Sequence, residues 1–119
     1  MKNIFKAFLG LILMGSIAFT SCTKNTITTM NCTNLAPTYN NDIKAIMDAN
    51  CAISGCHTTL SLAGGYDFTN YANCKNAKDR IVGSVQHNPG FLSMPQTGAK
   101  LSDATIQKIA CWAENGCMQ

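Results

Sequence analysis

The spacing of apolar and polar residues divides the chain into a hydrophobic leader, a polar segment and a helical domain. Residues 7–19 are almost continuously apolar and follow a basic start that contains Lys2 and Lys6. Residues 23–34 are rich in Thr and Asn and hold few apolar side chains, as is typical of a linker. Beyond the linker, apolar residues recur at helical intervals, so the pattern predicts an all-α domain.

Two helices are predicted in the first two thirds of this domain. Ile43, Ile46 and Met47 fall on one face of a helix over 41–50, for which Asn40 or Asn41 is the expected N-cap. A second helix is predicted over about 70–82, with Tyr71, Cys74, Lys78 and Ile81 on one face.

The last helix has the clearest boundaries. Ser102 is a good N-cap, Asp103 suits the first turn, and Gly116 provides a C-terminal stop. Between the helices, residues 58–69 and 83–100 are predicted to be loops because they contain paired glycines, prolines and hydroxyl side chains. The second loop is long for a compact domain, which indicates a functional role.

The leader has the layout of a secretory signal, and it is too short to cross a bilayer as a mature helix. It ends in Phe19-Thr20-Ser21-Cys22, which resembles a bacterial lipoprotein signal in which the cysteine receives lipid and becomes the new N-terminus. Ordinary secretion with nearby cleavage is the alternative. We therefore expect a signal peptide over 1–21, a lipidated tether over 22–38 and a single domain over 39–119, on the periplasmic side of a bacterial membrane.

Charge and cysteine content narrow the range of possible functions and compartments. The whole chain has a formal net charge of +3, but two of its lysines lie in the leader, so the mature protein would be nearly neutral. There is no basic patch that would favour nucleic acid. Seven cysteines in 119 residues favour an oxidising compartment.

The most informative segment is Cys51-Ala-Ile-Ser-Gly-Cys56-His57. Two thiols followed directly by an imidazole are the groups that hold c-type haem, because each thiol can form a thioether with a vinyl group and the histidine can bind the iron. The spacer here has four residues, whereas the usual motif has two. A disulfide or a zinc site at Cys51 and Cys56 is the alternative interpretation of this segment alone.

A second signal lies downstream, in Phe91-Leu92-Ser93-Met94-Pro95 and the final helix that contains Trp112. Together with the first motif, these residues resemble the class I cytochrome c family, over roughly residues 40–117. The resemblance implies a cytochrome c-like fold of three main helices and long loops around one covalent haem c. It also implies Cys51 and Cys56 as thioether residues, His57 as the proximal ligand and Met94 as the distal ligand. His87 is the rival distal ligand.

The resemblance also gives the remaining cysteines a role. With Cys22 lipidated and two cysteines on haem, an even set is left for two disulfides: Cys32, Cys74, Cys111 and Cys117. The first and last helices cross in this fold and are flanked by Cys32 and Cys117, so we expect the pairs Cys32–Cys117 and Cys74–Cys111. Cys32 would then tie the end of the tether to the domain.

The function expected from this resemblance is electron transfer by a membrane-anchored monohaem carrier, with redox proteins as partners and no catalytic residues. Two alternatives stay open from the residues themselves. Cys51, Cys56, His57 and Met94 are soft ligands that also suit copper. A haem-free module stapled by three disulfides would equally account for six mature cysteines.

Overall fold

The computed structural model describes residues 26–119, and this part of the chain is helical and contains no β-strand. The all-α prediction is therefore confirmed for the domain. The predicted signal peptide over 1–21 and the predicted lipidation site, Cys22, lie outside the described residues. Within 26–119, no helix is long and apolar enough to cross a membrane.

The domain is built from four short α-helices joined by turns and loops. A π-helical turn, Tyr39–Ile43, leads directly into α1, Lys44–Asn50. A 3-10 turn at Ala63–Gly65 interrupts the following loop. The remaining helices are α2, Tyr71–Asn76; α3, Lys78–Gln86; and α4, Asp103–Glu114.

The first helical segment begins earlier than the sequence indicated. Thr38 is the N-cap, and its hydroxyl accepts a hydrogen bond from the Asn41 amide at 3.4 Å. The Thr38 amide in turn donates to the Asp42 carboxylate at 3.1 Å. This reciprocal pair satisfies amides that a helix start leaves without partners, so the predicted caps at Asn40 and Asn41 were placed too late.

The predicted second helix is two helices that meet at Ala77. Asn70 caps α2 through its side-chain oxygen, which accepts from the Asn73 amide at 3.0 Å. The chain continues as α3 to Gln86, so Gly83 is helical rather than the start of a loop. His87 then ends α3 in a left-handed conformation, with φ of 60°.

The last helix agrees with its prediction. The Ser102 hydroxyl accepts from the Thr105 amide at 3.2 Å, as an N-cap should. At the other end, the Cys117 amide donates to the Trp112 carbonyl at 2.9 Å across Gly116, whose φ is +86°. This is the bond that closes a Schellman stop, and glycine adopts the required left-handed conformation without strain.

The core forms where α4 packs against α3 and against the π-helical turn. Trp112 is fully buried at its centre, and its ring centroid lies 6.1 Å from that of Tyr39. The indole nitrogen donates to the Met118 carbonyl at 2.9 Å, so this buried polar atom has a partner. The largest fully buried side chains are Trp112, Ile43, Met47, Ile109, Cys74, Cys111 and Cys117.

The described part of the predicted tether is bound to the domain. Gln86 pairs with the backbone of Thr28 in both directions: the Thr28 amide donates to its Oε1 at 3.0 Å, and its Nε2 donates to the Thr28 carbonyl at 2.7 Å. Gln107 on α4 donates to the Asn31 carbonyl at 2.6 Å. Residues 28–31 therefore lie against the C-terminal end of α3 and the middle of α4.

The disulfide pairing differs from the one expected. Cys32 is bonded to Cys111 in α4, so Cys32 does tie this segment to the domain, but the predicted pairs Cys32–Cys117 and Cys74–Cys111 are wrong. The reason is helical geometry: Cys111 sits on the face of α4 that the segment 28–31 crosses, whereas Cys117 lies beyond the helix stop. Cys74 and Cys117 are buried free thiols.

Candidate functional site

The loop that carries the two predicted haem-binding thiols is closed by its own backbone. Cys51 caps the end of α1, where its amide donates to the Met47 carbonyl at 2.9 Å. The His57 amide donates back to the Cys51 carbonyl at 3.0 Å, which closes the loop over the four-residue spacer. Gly55 permits the turn with φ of +82°. The longer spacer is therefore accommodated by a turn that keeps both ends of the motif together.

Cys51 and Cys56 are unpaired, half-buried thiols. Burial, and to a smaller extent the nearby Cys56, raises the pKa of the Cys51 thiol from its ordinary value of 9.0 to about 11. Cys51 is therefore protonated at neutral pH. Cys51 and Cys56 are thus not joined to each other, whereas Cys32 and Cys111 form a disulfide.

His57 is buried directly behind these thiols. Its ring packs on Phe68, with the centroids 4.6 Å apart, and faces the edge of Tyr66 at 6.3 Å. The Phe68 amide donates to the His57 carbonyl at 2.9 Å, which holds the two residues together. The Nδ1 atom of His57 is buried and has no hydrogen-bond partner. A buried polar atom without a partner costs about 1–3 kcal/mol, so an imidazole in this state has unused capacity to bind something.

Met94 is held at the C-terminal end of α3, on the predicted distal loop. Its amide donates to the Ser84 carbonyl at 3.1 Å. Its carbonyl lies 3.0 Å from Nε2 of His87, so the His87 ring donates its Nε2 proton there. The amide and the carbonyl of Met94 are therefore both hydrogen-bonded. His87, the rival ligand, uses its Nε2 atom in the contact with the Met94 carbonyl.

A cavity of about 670 Å³ lies between the loop that follows His57 and the helices α2 and α3. Its volume falls within the range of about 300–1,000 Å³ that is usual for sites of cofactors and small ligands. Tyr66, which faces the His57 ring, and Phe91, three residues before Met94, both line it. None of the four predicted haem-binding residues is in its lining, which consists of Leu62, Gly65, Tyr66, Asp67, Asn73, Asn76, Ala77, Asp79, Arg80 and Phe91.

Exposed apolar side chains concentrate around the same two segments. Ile53 lies within the thiol loop, Leu60 and Leu62 follow it closely, and Leu92 precedes Met94 by two residues. Leu60 is 96% exposed and Leu92 61% exposed. Outside these two segments, the only exposed large apolar side chain identified among residues 26–119 is Met118. A contiguous apolar patch marks a surface that another group covers, whereas single exposed leucines are ordinary on protein surfaces.

Trp112, the aromatic residue of the second sequence signal, belongs to the core between α4 and Tyr39. Tyr39 was not singled out from the sequence, yet burial, followed by the adjacent Cys74 thiol, raises its pKa to about 12. Its hydroxyl is buried without a hydrogen-bond partner of normal geometry, and the Cys74 thiol instead donates to the Phe68 carbonyl at 3.4 Å. The sequence around a tyrosine near a helix start does not indicate that its hydroxyl will be buried.

Comparisons with known proteins leave the site to be judged by its chemistry. No protein-family model, no curated protein and no solved structure matches the chain. Across residues 26–119 there is also no cluster of three or more His, Cys, Asp or Glu side chains arranged to hold a metal ion.

Proposed function

We propose that this chain is a membrane-anchored monohaem c-type cytochrome that carries electrons, with a cytochrome c-like fold. The observation that carries the proposal is the arrangement of residues 51–57: two free thiols in one closed loop, followed by a buried imidazole that has a partnerless nitrogen. In an exported protein that forms another disulfide, two adjacent thiols left free are suited to a bond other than a disulfide.

The residues present fit a covalent haem. Cys51 and Cys56 would form the thioethers, His57 would be the proximal ligand and Met94 the distal one. Bound there, the haem supplies a one-electron Fe(III)/Fe(II) couple. The exposed leucines on both loops would supply apolar surface to the large apolar disc of a haem.

The protein's own part would be to hold both ligands rigidly. Phe68 packs on the His57 ring, and the Ser84 carbonyl fixes the backbone of Met94. Ligands that stay in place when the iron changes oxidation state keep the reorganisation energy of electron transfer small. In metal sites generally, the residues around the ligands hold them in the required orientation. If His57 and Met94 both bound the iron, no coordination position would be left for a substrate, and partners would be other redox proteins at the membrane.

Covalent attachment is the first test. The full chain would be produced in cells that mature c-type cytochromes, and the denatured protein extracted with acidified acetone. We expect haem to stay with the polypeptide, with a mass increase of one haem and a reduced pyridine spectrum typical of two thioethers. Cys56→Ala should shift that spectrum to the single-thioether form, whereas Cys74→Ala, which removes another free thiol, should not.

The absence of haem from wild-type protein would contradict the proposal. Metal analysis would then separate the copper-binding alternative from the disulfide-stapled module. That module requires three disulfides, whereas residues 26–119 contain one.

The distal ligand has its own test. Met94→Ala should open the sixth position, so that ferric protein binds added imidazole at least tenfold more tightly than wild type. His87→Ala removes a contact to the Met94 carbonyl but leaves the Met94 sulfur in place, so this variant should bind imidazole only slightly better than wild type. The opposite order would assign the distal position to His87.

A further inference from the structure

Residues 28–35, which we call the strap, lie alongside α4 and are held to it at successive positions. The strap follows the helix toward its C-terminal end: the Asn31 carbonyl accepts from the Gln107 side chain at 2.6 Å, Cys32 is bonded to Cys111, and the Leu35 carbonyl accepts from the Asn115 side chain at 3.1 Å. One of these attachments is covalent. The strap is therefore a fixed part of the domain and not a free linker.

The upstream end of the strap lies where α3 ends and α4 begins. Besides its two hydrogen bonds with Gln86, Thr28 donates from its hydroxyl to Oδ1 of Asn88 at 3.2 Å. These three residues also line a small cavity of about 180 Å³ together with Lys100 and Asp103, which lie just before and at the start of α4. The chain thus enters the domain at this end of both helices.

This attachment shortens the part of the chain that is free to extend from a lipid anchor. Cys22, the predicted lipidation site, precedes Thr28 by six residues. Six residues span at most about 20 Å, compared with about 55 Å for the whole predicted tether up to Thr38. Because α4 is itself about 18 Å long, its far end could contact lipid only if the free piece were almost fully extended along the domain.

We infer that the strap orients the domain on the membrane, with the end where α3 stops and α4 starts facing the lipid head groups. This inference rests on the membrane anchor of the proposed function and does not depend on haem. The loop that carries Met94 joins these two helix ends, and the Met94 amide is bonded to the Ser84 carbonyl near the end of α3. A redox partner that contacts this loop is therefore itself bound to the membrane.

The test compares one insertion placed at two positions of the full chain. About 20 Gly and Ser residues inserted after Lys24 lengthen the free piece and add about 25 Å of mean reach. The same residues inserted after Thr33 lie beyond Cys32 and its disulfide, in an exposed turn where added residues are tolerated. A free tether would be lengthened equally by both insertions, whereas a strap held to α4 leaves only the first one effective.

The exposure of two lysines reports the orientation. Wild type and both insertion variants would be added to preformed vesicles of phosphatidylcholine and phosphatidylglycerol, treated with a membrane-impermeant acylating reagent and analysed by mass spectrometry. Lys100 is exposed at the end that is expected to face lipid. Lys75, also exposed, is the matched control at the opposite end: it lies over the ring of Tyr71, whose hydroxyl donates to the Cys117 carbonyl beyond the end of α4.

We expect Lys100 to react at least threefold faster in the Lys24 insertion variant than in wild type, because the longer free piece lets the domain move away from the lipid. In the Thr33 insertion variant, Lys100 should react as in wild type, and Lys75 should react equally in all three proteins. Any other pattern, in protein whose Cys22 carries lipid, would overturn the inference and leave the membrane anchor intact. An N-terminal peptide whose mass shows no lipid would overturn both, so the two failures are distinguished before the vesicles are used.

Discussion

Replacement of Gly83 by alanine tests how the distal loop is held against α3. Gly83 is buried within α3, and a methyl group at this position would lie 2.6 Å from three atoms of the Phe91 ring. Carbon atoms in contact prefer about 3.5–4.0 Å, so the ring would have to move by roughly 1 Å. The backbone that carries the ring is held in place, because the Phe91 amide is bonded to the Asn88 carbonyl and the Met94 amide to the Ser84 carbonyl.

Two opposing contributions determine how Gly83→Ala changes the free energy of unfolding. Alanine is favoured over glycine inside a helix by about 0.5–1 kcal/mol. Overpacking a well-filled contact costs about 1–3 kcal/mol. The free energy of unfolding should therefore fall by roughly 0.5–2 kcal/mol in Gly83→Ala. If haem is bound as proposed, a displaced Phe91 should also weaken Met94 ligation, and ferric protein should bind imidazole more tightly.

Urea unfolding of a double-mutant cycle with Phe91→Ala checks this reasoning. Once the ring is gone, Gly83→Ala should become stabilising by about 0.5–1 kcal/mol, because only helix propensity remains. The sign reversal corresponds to a coupling energy of about 1–3 kcal/mol. A Gly83→Ala variant that is more stable than wild type with Phe91 in place would refute the close contact.

Three further predictions concern stability. Cys32→Ala with Cys111→Ala opens a loop of 79 residues and should lower the free energy of unfolding by about 4 kcal/mol in urea titrations, as reduction of wild type should also do. Tyr39 and Cys74 each have a pKa raised to about 12, mainly by burial, so the unfolded state loses these protons first and stability should fall as pH rises above about 9. Cys74→Ala should make that decline shallower between about pH 9 and 12, and an unchanged slope would contradict the assignment. Ser102→Ala removes a helix cap and should cost about 1 kcal/mol in thermal unfolding, whereas a variant as stable as wild type would show that the cap contributes little.

Haem attachment, axial ligation and the lipid anchor remain predictions from the sequence, and local geometry supports only part of them. His57 is buried with its ring packed on Phe68, and the Met94 amide is bonded to the Ser84 carbonyl near the end of α3, as ligands need to be held.

The sequence by itself determined the features that depend on neighbours along the chain. Apolar residues at helical spacing and the caps at Asn70 and Ser102 specify helices through backbone hydrogen bonds only a few residues apart. The motif at 51–57 is likewise a local property. The tertiary structure alone decided that Cys32 pairs with Cys111 and that Gln86 binds the backbone of Thr28. These contacts join groups far apart in sequence, and they depend on how the helices pack against one another, which no local pattern records.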